Sequence, residues 1–216
     1  MAGGKKTGRR FSIRKANGKL IPRHNKGLDP GLAGLKAFHH PSVGEWWRWL
    51  RSEYAPRYPA ALITPCSSVK PYTQSPMSRK IRGLLRRLGL WDPQNDRPIR
   101  LEWLYFSDLL ILVPYERAED YPACCYELPP DAVLESSDAY EKVAGELAGT
   151  MTLLAEKGLE HLVVYLPRKH MRLWARAREK AHAWPRETIV KYSIFSTKPL
   201  EETLARLLIH DEAKKG

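Results

Sequence analysis

The chain has 216 residues, long enough for one domain of ordinary size with a full core and short for two. Its formal net charge is +12, and no segment approaches the roughly 20 uninterrupted apolar residues of a membrane span, so composition argues against a membrane protein and for an anionic partner, nucleic acid first. Three cysteines, Cys66, Cys124 and Cys125, form an odd set with one adjacent pair and no zinc-ligand spacing, which argues against a disulfide scaffold and leads us to expect a cytoplasmic protein without metal or other cofactor.

Residues 1–38 read as a basic tail. Lys5, Lys6, Arg9, Arg10, Arg14, Lys15, Lys19, Arg23 and Lys26 account for about +9 of the +12, and residues 1–27 contain no acid. So little apolar surface cannot order a segment by itself. Two readings stay open, an RNA-contacting arm that folds against phosphates and a solvated, partly disordered terminus. The start of the chain lacks the apolar stretch and small-residue cleavage site of a signal peptide. Amides are scarce, limited to Asn17, Asn25, Gln74, Gln94 and Asn95, a balance that leans towards a thermophilic source.

Residues 39–216 read as a single α/β domain. HPSVGEWWRWLRSEYAP predicts a short helix with Trp46, Trp49 and Leu50 on one side, and Ala60–Thr64 predicts a strand. Ser75 before Pro76 is an N-cap followed by N1, and Met77, Ile81, Leu84, Leu85 and Leu88 form the apolar stripe of the next helix. Its other side, with Arg79, Lys80, Arg82, Arg86 and Arg87, is a solvated face or an extension of an RNA footprint. Ile99–Phe106 and Leu109–Val113 predict strands divided by Ser107-Asp108, and a long loop rich in tyrosine and proline follows. A helix capped by Ser137 and closed by Gly158, a strand at His161–Leu166, a helix from Lys169 to about Ala183, a strand at Thr188–Ile194 and a helix at Leu200–Ile209 complete the chain.

Strands alternating with helices imply a three-layer α/β fold, a mostly parallel sheet with helices on both faces. Ligands of such sheets bind outside the carboxyl ends of the strands. Three predicted strand ends share a form, Thr64-Pro65-Cys66, Val113-Pro114-Tyr115 and Leu166-Pro167-Arg168. If these strands are parallel, Cys66, Lys70, Tyr72, Tyr115, Glu116, Arg168 and His170 meet at one ligand. A cysteine at a strand end, near a helix N-terminus and four residues before Lys70, is suited to be a thiolate nucleophile. The alternative is a small buried hydrophobe at Cys66, a mere cap at Ser75 and an exposed loop lysine at Lys70. Cys124 and Cys125 read as packing residues, and His39 and His40 as loop histidines.

PCSSVKPYTQS, Pro65 to Ser75, resembles the PC-x3-KPY-x2-S signature of archaeosine synthase. HPSVGEWWRWLRSEY resembles the helix preceding that signature, and VPYERAEDYPACCYELP resembles the family's VPRELE-like loop with its YPA-x-x-Y-acid ending, so the likeness covers roughly residues 40–195. Ser78 stands where the family signature continues to a histidine, Tyr115 where the family has arginine after Val-Pro, and Glu127 where aspartate is usual. The family's transglycosylase-like portion and RNA-binding domain have no counterpart here, so a separate transglycosylase-like subunit or the basic tail would place the tRNA.

The resemblance implies modification of 7-cyano-7-deazaguanine in archaeal tRNA by adding an amine across the nitrile. The Cys66 thiolate would attack the nitrile carbon and an amine would displace the sulfur from the thioimidate. Lys70 would support the thiolate or bind phosphate. Glu127 or Glu116 would move protons or hold the amine, and Tyr72, Tyr121 or Tyr126 would stack on the splayed base, with Ser75 alongside. The competing expectations are a non-catalytic, ribosome-associated protein that binds rRNA through its tail, and a DNA-acting relative.

Overall fold

The computed structural model describes residues 13–16, 19–22 and 27–213, with side chains from 27 to 207. Of the basic tail, Ile13–Ala16 (β1) and Lys19–Pro22 (β2) pair as an antiparallel hairpin. Backbone alone is described for Arg14, Lys15 and Lys19, and Lys5, Lys6, Arg9, Arg10, Arg23 and Lys26 lie outside the described residues.

A five-stranded sheet organises the domain. Its strands are Ala60–Pro65 (β3), Glu102–Ser107 (β6), Ile111–Pro114 (β7), His161–Val164 (β8) and Arg186–Ile189 (β9), in the order β7-β6-β3-β8-β9. β3 runs parallel to β6, from Ala61↔Glu102 to Pro65↔Phe106, and parallel to β8, from Ala60↔His161 to Ile63↔Val164. A parallel central strand is covered on both faces, which explains why AALITP is an apolar run without alternation. β6 begins three residues later than the sequence suggests, because the preceding segment forms a small antiparallel pair, Trp91–Asp92 (β4) with Arg97–Pro98 (β5).

The helices are Pro41–Ser52 (α1), Pro76–Arg87 (α2), Pro130–Glu135 (α3), Ser137–Glu156 (α4), Arg168–Lys180 (α5) and Lys198–Ala213 (α6). Adjacent residues of β6 show that both faces are covered. Tyr105 donates its hydroxyl to Ser78 Oγ of α2 at 3.1 Å, whereas the Phe106 ring packs edge-on against Trp174 and His170 of α5. The fold is thus the expected three-layer α/β arrangement. The cap of α4 is Ser136, one residue earlier than expected, its Oγ accepting the Ala139 N–H.

Three expectations are corrected. β7 is antiparallel to β6, with Leu104↔Pro114 and Ser107↔Ile111, so Val113-Pro114-Tyr115 ends on the sheet edge opposite Cys66. The cause is the tight turn after β6, where Ser107 Oγ accepts the N–H groups of Leu109 and Leu110 and leaves no room for a crossover. Secondly, residues 29–38 belong to the domain rather than to a tail. Leu32, Ala37 and Phe38 enter the core, and Gly34 N–H and Glu127 N–H donate to Glu127 O and Leu32 O respectively. Thirdly, the long loop contains α3. Among the described residues no helix is long and apolar enough to cross a membrane.

Candidate functional site

Each of the three adjacent parallel strands β6, β3 and β8 delivers one chemically active residue to the carboxyl edge of the sheet. Cys66 follows β3, and its N–H adds a further rung by donating to Phe106 O at 2.8 Å. Asp108 follows β6 and is held by the Ser107 turn. His170 lies in the first turn of α5, which begins after β8 and Pro167. Cys66 Sγ is 3.8 Å from Asp108 Oδ2 and 3.9 Å from His170 Nε2, and His170 Nε2 is 3.3 Å from Asp108 Oδ2.

The cluster is nearly dry. Asp108 is 1 % and His170 6 % exposed, while Cys66 is half-buried and reaches open space. Burial by itself would lower the His170 pKa, but the neighbouring Asp108 carboxylate, together with Cys66, overrides it and pushes it up to about 10. Asp108 Oδ1 and His170 Nδ1 are buried without a hydrogen-bond partner. A relay of the Ser-His-Asp kind engages both ring nitrogens, one on the nucleophile and one on the carboxylate. Here Nε2 faces both groups.

Cys66 stands where two cavities meet. The larger, about 400 Å³, lies towards α2 and is lined by Ser67, Ser75, Ser78, Lys80 and Tyr192 among others. The smaller, about 210 Å³, is lined by Ser67, Ser68, Lys70, Glu127, Pro129 and His170, with Cys66 common to both. Lys70 is only 3 % exposed. Its Nζ donates to Ser67 O at 2.8 Å and lies 4.2 Å from the Tyr126 ring centroid and 5.2 Å from that of Tyr72. Below it the hydroxyls of Tyr72 and Tyr126 bond each other, and Tyr126 bonds Ser107 Oγ at 2.8 Å. Burial, with Cys66 nearby as the next cause, raises both phenol pKa values, so both hydroxyls stay protonated.

The structure thus brings together Cys66, Lys70, Glu127, Ser75 and His170. Tyr72 and Tyr126 stand beneath them with their rings packed on protein, a supporting place rather than a base-stacking one. Ser75 caps α2, accepting the Ser78 N–H at 3.1 Å, and its hydroxyl donates to Ser78 Oγ. Arg168 is exposed at the start of α5. Tyr115 and Glu116 are elsewhere, because β7 is antiparallel: Tyr115 stacks on Trp103, and Glu116 pairs with Arg57, which also holds the buried Glu102. Tyr121 lies at a separate cavity of about 360 Å³ with Trp46, Trp49 and Arg117, and donates to Asp29 at 2.7 Å. Part of the basic face of α2 is engaged by protein, with Arg87 on Glu201, Arg86 on Asp96 and Lys80 on Ile194 O.

Asp108 escaped the sequence reading, which treated Ser107-Asp108 as a divider. The available signal was a single charged residue within the mostly apolar run WLYFSDLLILV. His170 next to Cys66 also gives the site an imidazole that position 78, occupied by serine, lacks.

No protein-family model matches the chain, and no curated protein matches it. Among solved structures, it is similar to the crystal structure of AF0587, a protein of unknown function, with a TM-score of 0.48 and 18 % identity. That alignment covers 73 % of this chain and 48 % of the other, so the chain spans about half the length of that protein.

Proposed function

We propose that this chain is an enzyme, or enzyme subunit, that binds tRNA in the archaeal cytoplasm and adds an amine across the nitrile of 7-cyano-7-deazaguanine. The observation that supports this reading is the position of Cys66, the cysteine of the PC-x3-KPY signature, at the junction of two cavities beside His170 and Asp108. A two-substrate addition needs such a junction. The larger cavity is within the size range of small-molecule sites, roughly 300–1,000 Å³. The smaller, with Lys70 and Glu127 in its wall, suits a compact amine-bearing donor.

The reaction balances simply. The amine lone pair forms a C–N bond to the nitrile carbon, one C≡N π pair moves to the nitrile nitrogen, and that nitrogen takes a proton while the amine loses one. The product is an amidine. One route passes through sulfur: Cys66 adds first, and the thiolate leaves as the amine adds. In the other the amine adds directly to a nitrile polarised at the same cluster.

The test is to incubate the protein and a Cys66→Ala variant with tRNA carrying the cyano base and candidate amines, digest the tRNA and weigh the nucleosides. A mass gain equal to the amine with wild type, lost in the variant, supports the reading. RNA binding without any mass gain refutes it and favours the non-catalytic, ribosome-associated role.

A further inference from the structure

We infer that Cys66, Asp108 and His170 form a binding site for a divalent transition-metal cation, zinc by its ligand chemistry, with one coordination position open to the cavities. The first argument is the triangle of ligand atoms. Zinc bonds of about 2.3 Å to sulfur and about 2.0–2.2 Å to nitrogen and oxygen, at tetrahedral angles, give edges of about 3.6 Å from sulfur and about 3.4 Å between nitrogen and oxygen. The observed edges are 3.8, 3.9 and 3.3 Å. A shift of a few tenths of an ångström places all three atoms on one ion.

The second argument is that the buried carboxylate of the cluster has few polar neighbours, an imidazole nitrogen and a thiol on Oδ2. Asp108 Oδ1 has no partner at all, in a carboxylate that is almost fully buried. A charge buried in so poor a polar environment calls for compensation, and a cation on Oδ2 would supply it. The third is convergence: Nε2, Oδ2 and Sγ all face one point, as ligands do, while Nδ1 contacts neither partner and so cannot serve a relay.

The donor set selects the ion. A thiolate with an imidazole and a carboxylate suits zinc and disfavours magnesium and calcium, which take oxygen. Three protein ligands with an open fourth position is the pattern of a catalytic rather than a structural zinc. The local sequence hides it, because Asp108 and His170 lie 42 and 104 residues from Cys66 and meet only at the sheet edge. Cys66, Asp108 and His170 would hold the ion, which would supply Lewis acidity to an incoming nitrile and would favour the direct route, the sulfur being engaged as a ligand. That last step rests on the proposed reaction, whereas the cation site does not.

The experiment uses the full chain grown with zinc, passed over a chelating resin and analysed for metal. It is then stripped and titrated with cobalt(II) alone. One zinc per chain is expected, together with visible tetrahedral cobalt bands and a near-ultraviolet thiolate-to-cobalt charge-transfer band. Cys66→Ser should abolish the charge-transfer band, and Asp108→Asn and His170→Gln should each weaken cobalt binding tenfold or more. A Cys124→Ser/Cys125→Ser double variant should retain the spectrum. The wild-type spectrum and this double variant carry the test even where a ligand variant fails to fold. Absence of both retained zinc and the cobalt charge-transfer band overturns the site, as does a band that survives Cys66→Ser or disappears with Cys124 and Cys125. Neither readout involves RNA or an amine. Failure of the cation site would leave the nitrile reaction to the sulfur route, and failure of the mass gain would leave the cation site intact.

Discussion

Replacing Tyr126 by Phe removes a single oxygen from beneath the site and keeps the ring. Tyr126 is 1 % exposed, and its hydroxyl bonds Ser107 Oγ at 2.8 Å and the hydroxyl of Tyr72, itself 0 % exposed. Ser107 Oγ already accepts two backbone N–H groups, from Leu109 and Leu110. Tyr72 is therefore left to an occupied neighbour, and a buried polar group that loses its partner costs about 1–3 kcal/mol. For a chain of this size, each kcal/mol lowers Tm by about 2–4 °C, so a cost near 2 kcal/mol lowers it by about 4–8 °C. The retained ring still faces Lys70 Nζ at 4.2 Å, an interaction of about 0.5–2 kcal/mol. Tyr126→Leu removes both contributions and must fall further. Thermal melts and urea titrations of the three proteins at equal metal content measure this, with m unchanged for Phe. A Tyr126→Phe variant melting within about 1 °C of wild type, or a Leu variant equal to the Phe variant, would refute the reasoning.

Two further outcomes are expected. Ser75→Ala removes the cap of α2 and the partner of Ser78, so the urea midpoint should fall by the equivalent of about 0.5–2 kcal/mol, and an unchanged midpoint would show that Pro76 starts the helix unaided. Trp47→Phe loses the indole N–H that donates to Leu109 O at 2.9 Å and leaves that carbonyl buried, which should destabilise by about 1–3 kcal/mol; a neutral result in equilibrium unfolding would mean that α1 does not clasp the β6–β7 turn.

Much of the fold was legible because its signals are local. The proline and serine at the start of α2, the apolar stripe of Ile81, Leu84 and Leu85, and the unbroken run of β3 each depend on neighbours in the chain, and each element formed within a few residues of its expected place. The PC-x3-KPY stretch likewise marked Cys66 and Lys70, which do share one site. Strand direction was not legible. The same proline-terminated strand form that puts Cys66 at the carboxyl edge puts Tyr115 at the other, because only residues 108–110 join β6 to β7, enough for a hairpin and far short of the roughly dozen that a parallel crossover needs. Nor could residue pattern reveal that Lys70 lies buried over two aromatic rings, or that Tyr72 and Tyr126 support the site instead of lining it. The sequence by itself determined the alternation of strands and helices and the loop that carries Cys66. Only the tertiary structure decided that Asp108 and His170 join it, since the three residues come from separate strands and parallel pairing alone brings their ends to one edge.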